Sequence, residues 1–138
     1  MSIATEQIVH DFFAKLDAWR LDEAYALCSE DFAFIPPGAD KPLTRQEHRE
    51  RMYDLKAAFG DYGHKVVEQF SGGDRVATRF FFSGIHHGTY KGLAPTGKRL
   101  TTTAIALDRV VNGRITERYV ELDFLGMLLR AGAKVAAP

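Results

Sequence analysis

The chain is poor in three things that would each point to a class of function. It has one cysteine, Cys28, which rules out an internal disulfide and fits a reducing compartment. It has no excess of one charge: 18 Lys and Arg balance 18 Asp and Glu, so the electrostatic footprint of a nucleic-acid binder is missing. It has no apolar run long enough to span a bilayer, and Met1-Ser-Ile-Ala-Thr-Glu6 lacks the basic and apolar regions of a secretion signal. There is no internal repeat, low-complexity segment or linker. These absences predict a soluble, cytoplasmic protein that binds neither nucleic acid nor membrane.

What is present is a core. At 138 residues, with ten Phe, the chain is long enough for one domain that folds without disulfides or metal. The N-terminal third is helical in pattern. Ile8, Val9, Phe12, Phe13 and Leu16 recur at helical spacing over residues 5–19, and a shorter helix is expected over 21–29, with Cys28 as a small buried apolar residue. A short strand, Asp31 to Ile35, ends at Pro36-Pro37-Gly38, because proline cannot donate to a ladder. Thr44-Arg-Gln-Glu47 has the reciprocal capping-box pattern and opens a helix that Gly60 should end. Its apolar stripe is Met52, Leu55 and Phe59, with His48 one turn earlier.

From there the period changes to two. Strands are expected over Tyr62–Phe70, Arg75–His86, Arg99–Val111 and Arg114–Asp123, the last two joined by Asn112-Gly113, which tolerates the positive φ of a tight hairpin. Helices first and hairpin-linked strands afterwards predict an α+β domain with an antiparallel sheet. On the last strand Glu117, Tyr119, Glu121 and Asp123 share one face, and Arg118, Val120 and Leu122 share the other. The acidic face is either solvated or lines a cavity at its Asp123 end, where the apolar run Phe124–Leu129 would exclude water. Asp123 is thus a candidate cavity carboxylate or, alternatively, the N-cap of a helix over 124–130. Residues 131–138 read as a loose tail. Phe80-Phe81-Phe82 makes its strand apolar on both faces, which predicts a second layer, a homodimer partner.

Two sharper motifs are rejected. Gly92-Leu-Ala-Pro-Thr-Gly97-Lys98 matches a phosphate-binding loop only up to its lysine, since Arg99 replaces the Ser or Thr and a strand follows where a helix is needed. His86-His87 point to opposite faces of a strand, with no further ligand at metal spacing, so no metal site is predicted.

The stretch Gly84-Ile-His86-His87-Gly88, then Gly92-Leu-Ala-Pro95-Thr96-Gly97, then Arg109-Val-Val-Asn-Gly113-Arg-Ile115-Thr-Glu117, then Asp123-Phe-Leu-Gly126 resembles the SnoaL-like polyketide cyclase group of the NTF2-like superfamily. The resemblance implies an NTF2-like (cystatin-like) cone, a bent antiparallel sheet around the N-terminal helices with an apolar pocket inside and a homodimer on its outer face. It implies a cofactor-free enzyme acting on a small apolar molecule, with Asp123 as acid/base in an aldol-type ring closure beside a carbonyl. Where the cyclases place an amide and a histidine this chain has Ala104 and Ala106, and Phe34 replaces an asparagine, which predicts a wider, more apolar pocket. Replacement donors are Tyr119, His86 and His48. A carboxylate in such a pocket would have a raised pKa suited to proton transfer. Two other readings stay open: a non-catalytic binder of a hydrophobic ligand, and epoxide hydrolysis, for which Asp108-Arg109 lie near the hairpin end.

Overall fold

The computed structural model describes residues 3–134. In chain order the elements are α1 (Ile3–Asp17), α2 (Leu21–Ala26), β1 (Cys28–Ile35), α3 (Arg45–Ala58), β2 (Phe59–Gly72), β3 (Arg75–His86), β4 (Arg99–Val111), β5 (Arg114–Leu122) and α4 (Phe124–Arg130). The five strands form one sheet in the order β1-β5-β4-β3-β2. β1 runs parallel to β5 and the other pairs are antiparallel. No helix among the described residues is long and apolar enough to cross a membrane.

The long strands are where the alternating pattern predicted them. β4 alternates buried and exposed residues along its whole length, with Leu100, Thr102, Ala104, Ala106, Asp108 and Val110 inward. A period of two gives each strand one core face, and this face receives Val9, Phe12, Phe13 and Leu16 of α1. Phe80 and Phe82 of β3 point inward and are buried, whereas Phe81 lies on the outer side. Asn112 and Gly113 take φ of 52° and 76°, as the tight β4–β5 turn requires. Thr44 caps α3, and its side chain and that of Glu47 exchange both capping-box bonds.

Several boundaries differ from the sequence expectation, three of them for a reason visible in the tertiary contacts. The second helix stops at Ala26, and Cys28 opens β1, because Ile115 N–H of β5 donates to the Leu27 carbonyl and draws the chain into the sheet. Gly60 does not end α3; Phe59 is already extended, paired with His86 across β2–β3. Ala131 is not loose, being buried with its N–H bonded to the Met127 and Leu128 carbonyls. Residues 135–138 of the expected tail lie outside the described residues.

The two glycines flanking His86 have a steric reason. A Cβ on Gly84 would come within 2.9 Å of the Cβ atoms of both Phe59 and Tyr62, and one on Gly88 within 2.3 Å of the Ala57 carbonyl oxygen. The side chains of β2 therefore exclude a Cβ at Gly84, and the end of α3 excludes one at Gly88.

Candidate functional site

A strongly apolar cavity lies between α1, α3 and the inner face of the sheet, bordered at one end by Phe124 and Met127 of α4. Its volume is about 80 Å³ and its wall includes Phe13, Phe34, Phe80, Val120 and Leu122. Among these apolar side chains stand five that are polar: His48, Arg51, His64, Tyr90 and Arg118. No Asp or Glu is on the wall.

Arg118 and Asp108 are register partners across β4–β5, both facing inward. The pair is bidentate, Arg118 Nε donating to Asp108 Oδ1 at 2.6 Å and Nη2 to Oδ2 at 3.0 Å. The side chains are 3% and 0% exposed. Burial pushes the Asp108 carboxyl above its ordinary value, against the pull of Arg118. The guanidinium lies over two rings of α1, its Cζ 4.7 Å from the Phe12 centroid and 4.4 Å from that of Phe13. This arrangement leaves Nη1 outside the Asp108 bond, on a side chain that borders the cavity.

His64 of β2 faces Asp17 at the end of α1. Asp17 Oδ1 is 2.6 Å from His64 Nδ1, and Oδ2 accepts from the His64 backbone N–H at 2.9 Å. An ionised carboxylate can only accept, so in this bond Nδ1 carries the proton, and in the neutral ring Nε2 carries the lone pair. The imidazole packs on Phe13 and Phe80, with centroids 5.3 and 5.5 Å away. His64 and Arg118 therefore sit against the same Phe13 ring.

His48 is a third polar group of a different kind. It is 4% exposed, its Nδ1 is 2.6 Å from the Tyr25 hydroxyl, and Phe34 meets it edge-on with centroids 4.5 Å apart. Burial, helped by the charges of Arg118, Arg51 and His64, holds it down to about 3. At neutral pH it is an uncharged hydrogen-bonding group and too weak a base to remove a proton from carbon.

The residues singled out from sequence divide. His48 and Phe34 are on the cavity wall. Ala104 and Ala106 face inward and are buried in the core cluster that also holds Phe80, the register partner of Ala104, but neither is on the cavity wall. Tyr119, 43% exposed, points outward with Glu121. Asp123 also stands outside the cavity, because β5 turns Val120 and Leu122 inward. It is exposed, and its carboxylate accepts from Gly126 N–H at 2.9 Å as the N-cap of α4. The capping alternative is what the geometry shows for this side chain. His86 is buried but absent from the wall. Its Nδ1 accepts from Thr96 N–H at 3.3 Å, and its own N–H and C=O bond to Lys98 and Gly97, so it ties the following loop to the sheet.

Sequence reasoning missed His64, Asp17 and the Asp108–Arg118 pair. The available signals were modest. Tyr62, His64 and Val66 alternate on β2, and Arg118 shares its face with Val120 and Leu122, each a lone polar residue in an apolar row. Asp17 was legible only as a polar helix position.

The SnoaL-like polyketide cyclase profile matches residues 7–130. Aklanonic acid methyl ester cyclase DnrD of Streptomyces peucetius is 31% identical over 85 residues, which are 61% of this chain and 59% of DnrD, so the match spans less than two thirds of that relative. IdmH of Streptomyces antibioticus, provisionally assigned as a polyketide cyclase, superposes with a TM-score of 0.86 at 25% identity, over 94% of this chain and 99% of IdmH. AclR of Streptomyces galilaeus, provisionally assigned as a hydroxylase, gives 0.84 at 23% identity, over 97% and 88%, a likeness of fold. The α+β, NTF2-like cone expected from the sequence is the fold of this chain.

The buried neutral His48 makes stability depend on pH in a definite sense. Its folded-state pKa, about 3, lies below the ordinary 6.5, so the unfolded chain takes up this proton first. The stabilisation is present above pH 6.5 and is lost as pH falls towards 3, at most ~5 kcal/mol over the whole range. Urea unfolding of the wild type should weaken more steeply between pH 7 and 4.5 than that of His48→Gln. Equal slopes would place the imidazole in a solvated site.

Proposed function

Since the chain belongs to the SnoaL-like polyketide cyclase family, we propose that it is a cofactor-independent cyclase or isomerase whose reaction takes place in this cavity, with His64 and Arg118 as its working groups. The observation that carries the reading is the imidazole of His64, bonded to Asp17 behind it and standing on the wall that also holds a buried arginine. His64 Nε2 removes a proton from carbon next to a carbonyl, and the electron pair of the C–H bond moves towards the carbonyl oxygen. Arg118 Nη1 donates to that oxygen as negative charge develops on it. The enolate carbon then either attacks a second carbonyl, closing a ring as the imidazolium gives its proton to the new alkoxide oxygen, or the delocalised enolate is reprotonated at another carbon by the imidazolium, which moves a double bond; either way His64 returns to its neutral form. Asp17 is a positioning residue that fixes the tautomer and supports the charged ring. Each part is ordinary acid/base and electrostatic catalysis in a site shielded from water.

The cavity limits the substrate. Pockets for drug-sized ligands are roughly 300–1,000 Å³, whereas this one is about 80 Å³. A small, largely apolar carbonyl compound suits that space, and a multi-ring polyketide would enter only with its rim displaced. Epoxide opening is less well supported. Asp108, the carboxylate paired with Arg118, is fully buried with both oxygens held by that guanidinium.

The proposal includes a homodimer across the outer face of β3–β5. Ile105, Leu107 and Tyr119 there are 54, 37 and 43% exposed, more apolar surface in one place than a solvated sheet face usually keeps. Light scattering at micromolar concentration should give twice the chain mass of 15.4 kDa; a single-chain mass would contradict it.

The chemistry can be tested without knowing the natural substrate. Small β-dicarbonyl compounds in D₂O should exchange their acidic C–H faster with the protein than in buffer, as read by proton NMR. His64→Gln should lose roughly 10²–10⁴-fold of that rate. Asp17→Asn should slow it while leaving ligand affinity in place, because an amide can donate to Nδ1 and favour the wrong tautomer. Exchange unchanged in His64→Gln would remove the base from this account. Ligand binding without any exchange in the wild type would instead support a binding protein.

A further inference from the structure

The charges around the cavity do not cancel. Arg118 is neutralised by Asp108, and Asp17 lies behind His64. Arg51, half-buried on α3 and also on the wall, makes no ion pair among the described residues. Its contact is the face of Phe34, with Cζ 5.7 Å from the centroid. Lys91 adds a second positive charge at the rim, its Nζ 4.9 Å from the Phe124 centroid and 5.5 Å from that of Tyr90, both rings of the wall. Neither cation faces a carboxylate there, since the wall has none. A half-buried guanidinium next to apolar surface is poorly hydrated and presents a planar fork of donors matched to a carboxylate.

We infer that the cavity takes an anionic substrate, a small keto carboxylate whose carboxylate is bound by Arg51 at the rim while its apolar body and ketone lie inside. This inference rests on the reading of the cavity as the substrate site, and names the class of compound that site selects. The arrangement gives each end of such a molecule one guanidinium. Arg118, already paired, is a hydrogen-bond donor to a neutral oxygen; Arg51, unpaired, supplies the net charge that an anion needs. Lys91 raises the local concentration of anions at the entrance without a fixed contact. Neutral compounds of the same shape gain only the apolar part of the interaction. The residues act in binding, so the selectivity should not depend on the base.

The test uses two small probes and two reporters that the cavity supplies. Met52 and Met127 are on its wall, and Met1 lies outside the described residues. In protein labelled with ¹³C at the methionine methyls, 3-methylbutanoate should shift the Met52 and Met127 signals with at least about tenfold higher affinity than 3-methylbutanamide. Arg51→Gln should bring the ratio close to one by weakening the acid alone, and His64→Gln should leave the ratio as in the wild type. Equal affinity for acid and amide in the wild type, or equal weakening of both by Arg51→Gln, would overturn the anion site while leaving the cavity reading in place. If neither probe moves the two methionine signals, the cavity reading fails and this inference fails with it.

Discussion

The inward-facing pair Asp108 and Arg118 is the constraint on which the interior is arranged. Two charges this deeply buried are costly to desolvate, and such a pair is no more stabilising than well-packed apolar residues of the same size. Removing one partner would leave a buried charge alone, at a cost of about 3–5 kcal/mol. The register of β4 against β5 therefore has little freedom, because a slip of one residue would turn both side chains to opposite faces. The pair also joins layers. The guanidinium lies on Phe12 and Phe13, fixing α1 over the sheet, and Asp17 at the end of that helix then reaches His64 on β2.

Much of the fold was readable because a period of two over long strands is a strong signal. The limits of β3 and β4 follow from residue type alone, as does the hairpin at Asn112-Gly113. The reading weakened where tertiary contacts overrode local pattern. Cys28 has the apolar neighbours of a helix but is taken by pairing next to β5, and Phe59 completes the stripe of α3 yet begins β2. The faces of β5 were assigned correctly, but the face bearing Asp123 proved to be the outer one. The apolar run after Asp123 forms the helix that this carboxylate caps, so the same residues that suggested a dry site explain its exposure.

The polar groups of the cavity were harder to find for a physical reason. His64 and Asp17 are 47 residues apart in sequence, and Asp108 and Arg118 meet only through strand register. Neither pair leaves a local motif. Their sequence trace is a single polar residue in an apolar row, which is also how a buried structural histidine or a snorkelling arginine looks. The resemblance implies polar side chains at 34, 104 and 106, where this chain has Phe34, Ala104 and Ala106; the hydrogen-bonding groups on the cavity wall include His64 of β2, His48 and Arg51 of α3 and Arg118 of β5.

What each polar group of the cavity could contribute to the proposed reaction follows from its partner. His48, held neutral by burial, can only orient; Arg118, held by Asp108, can only donate; His64, held through Nδ1, keeps a lone pair. The central claim is therefore the tautomer of His64, which long-range ¹H–¹⁵N spectra of histidine-labelled protein report directly. The account predicts that the neutral ring carries its proton on Nδ1 and that the proton moves to Nε2 in Asp17→Asn. A neutral ring protonated on Nε2 in the wild type would contradict it, since the nitrogen meant to accept the substrate proton would already be occupied.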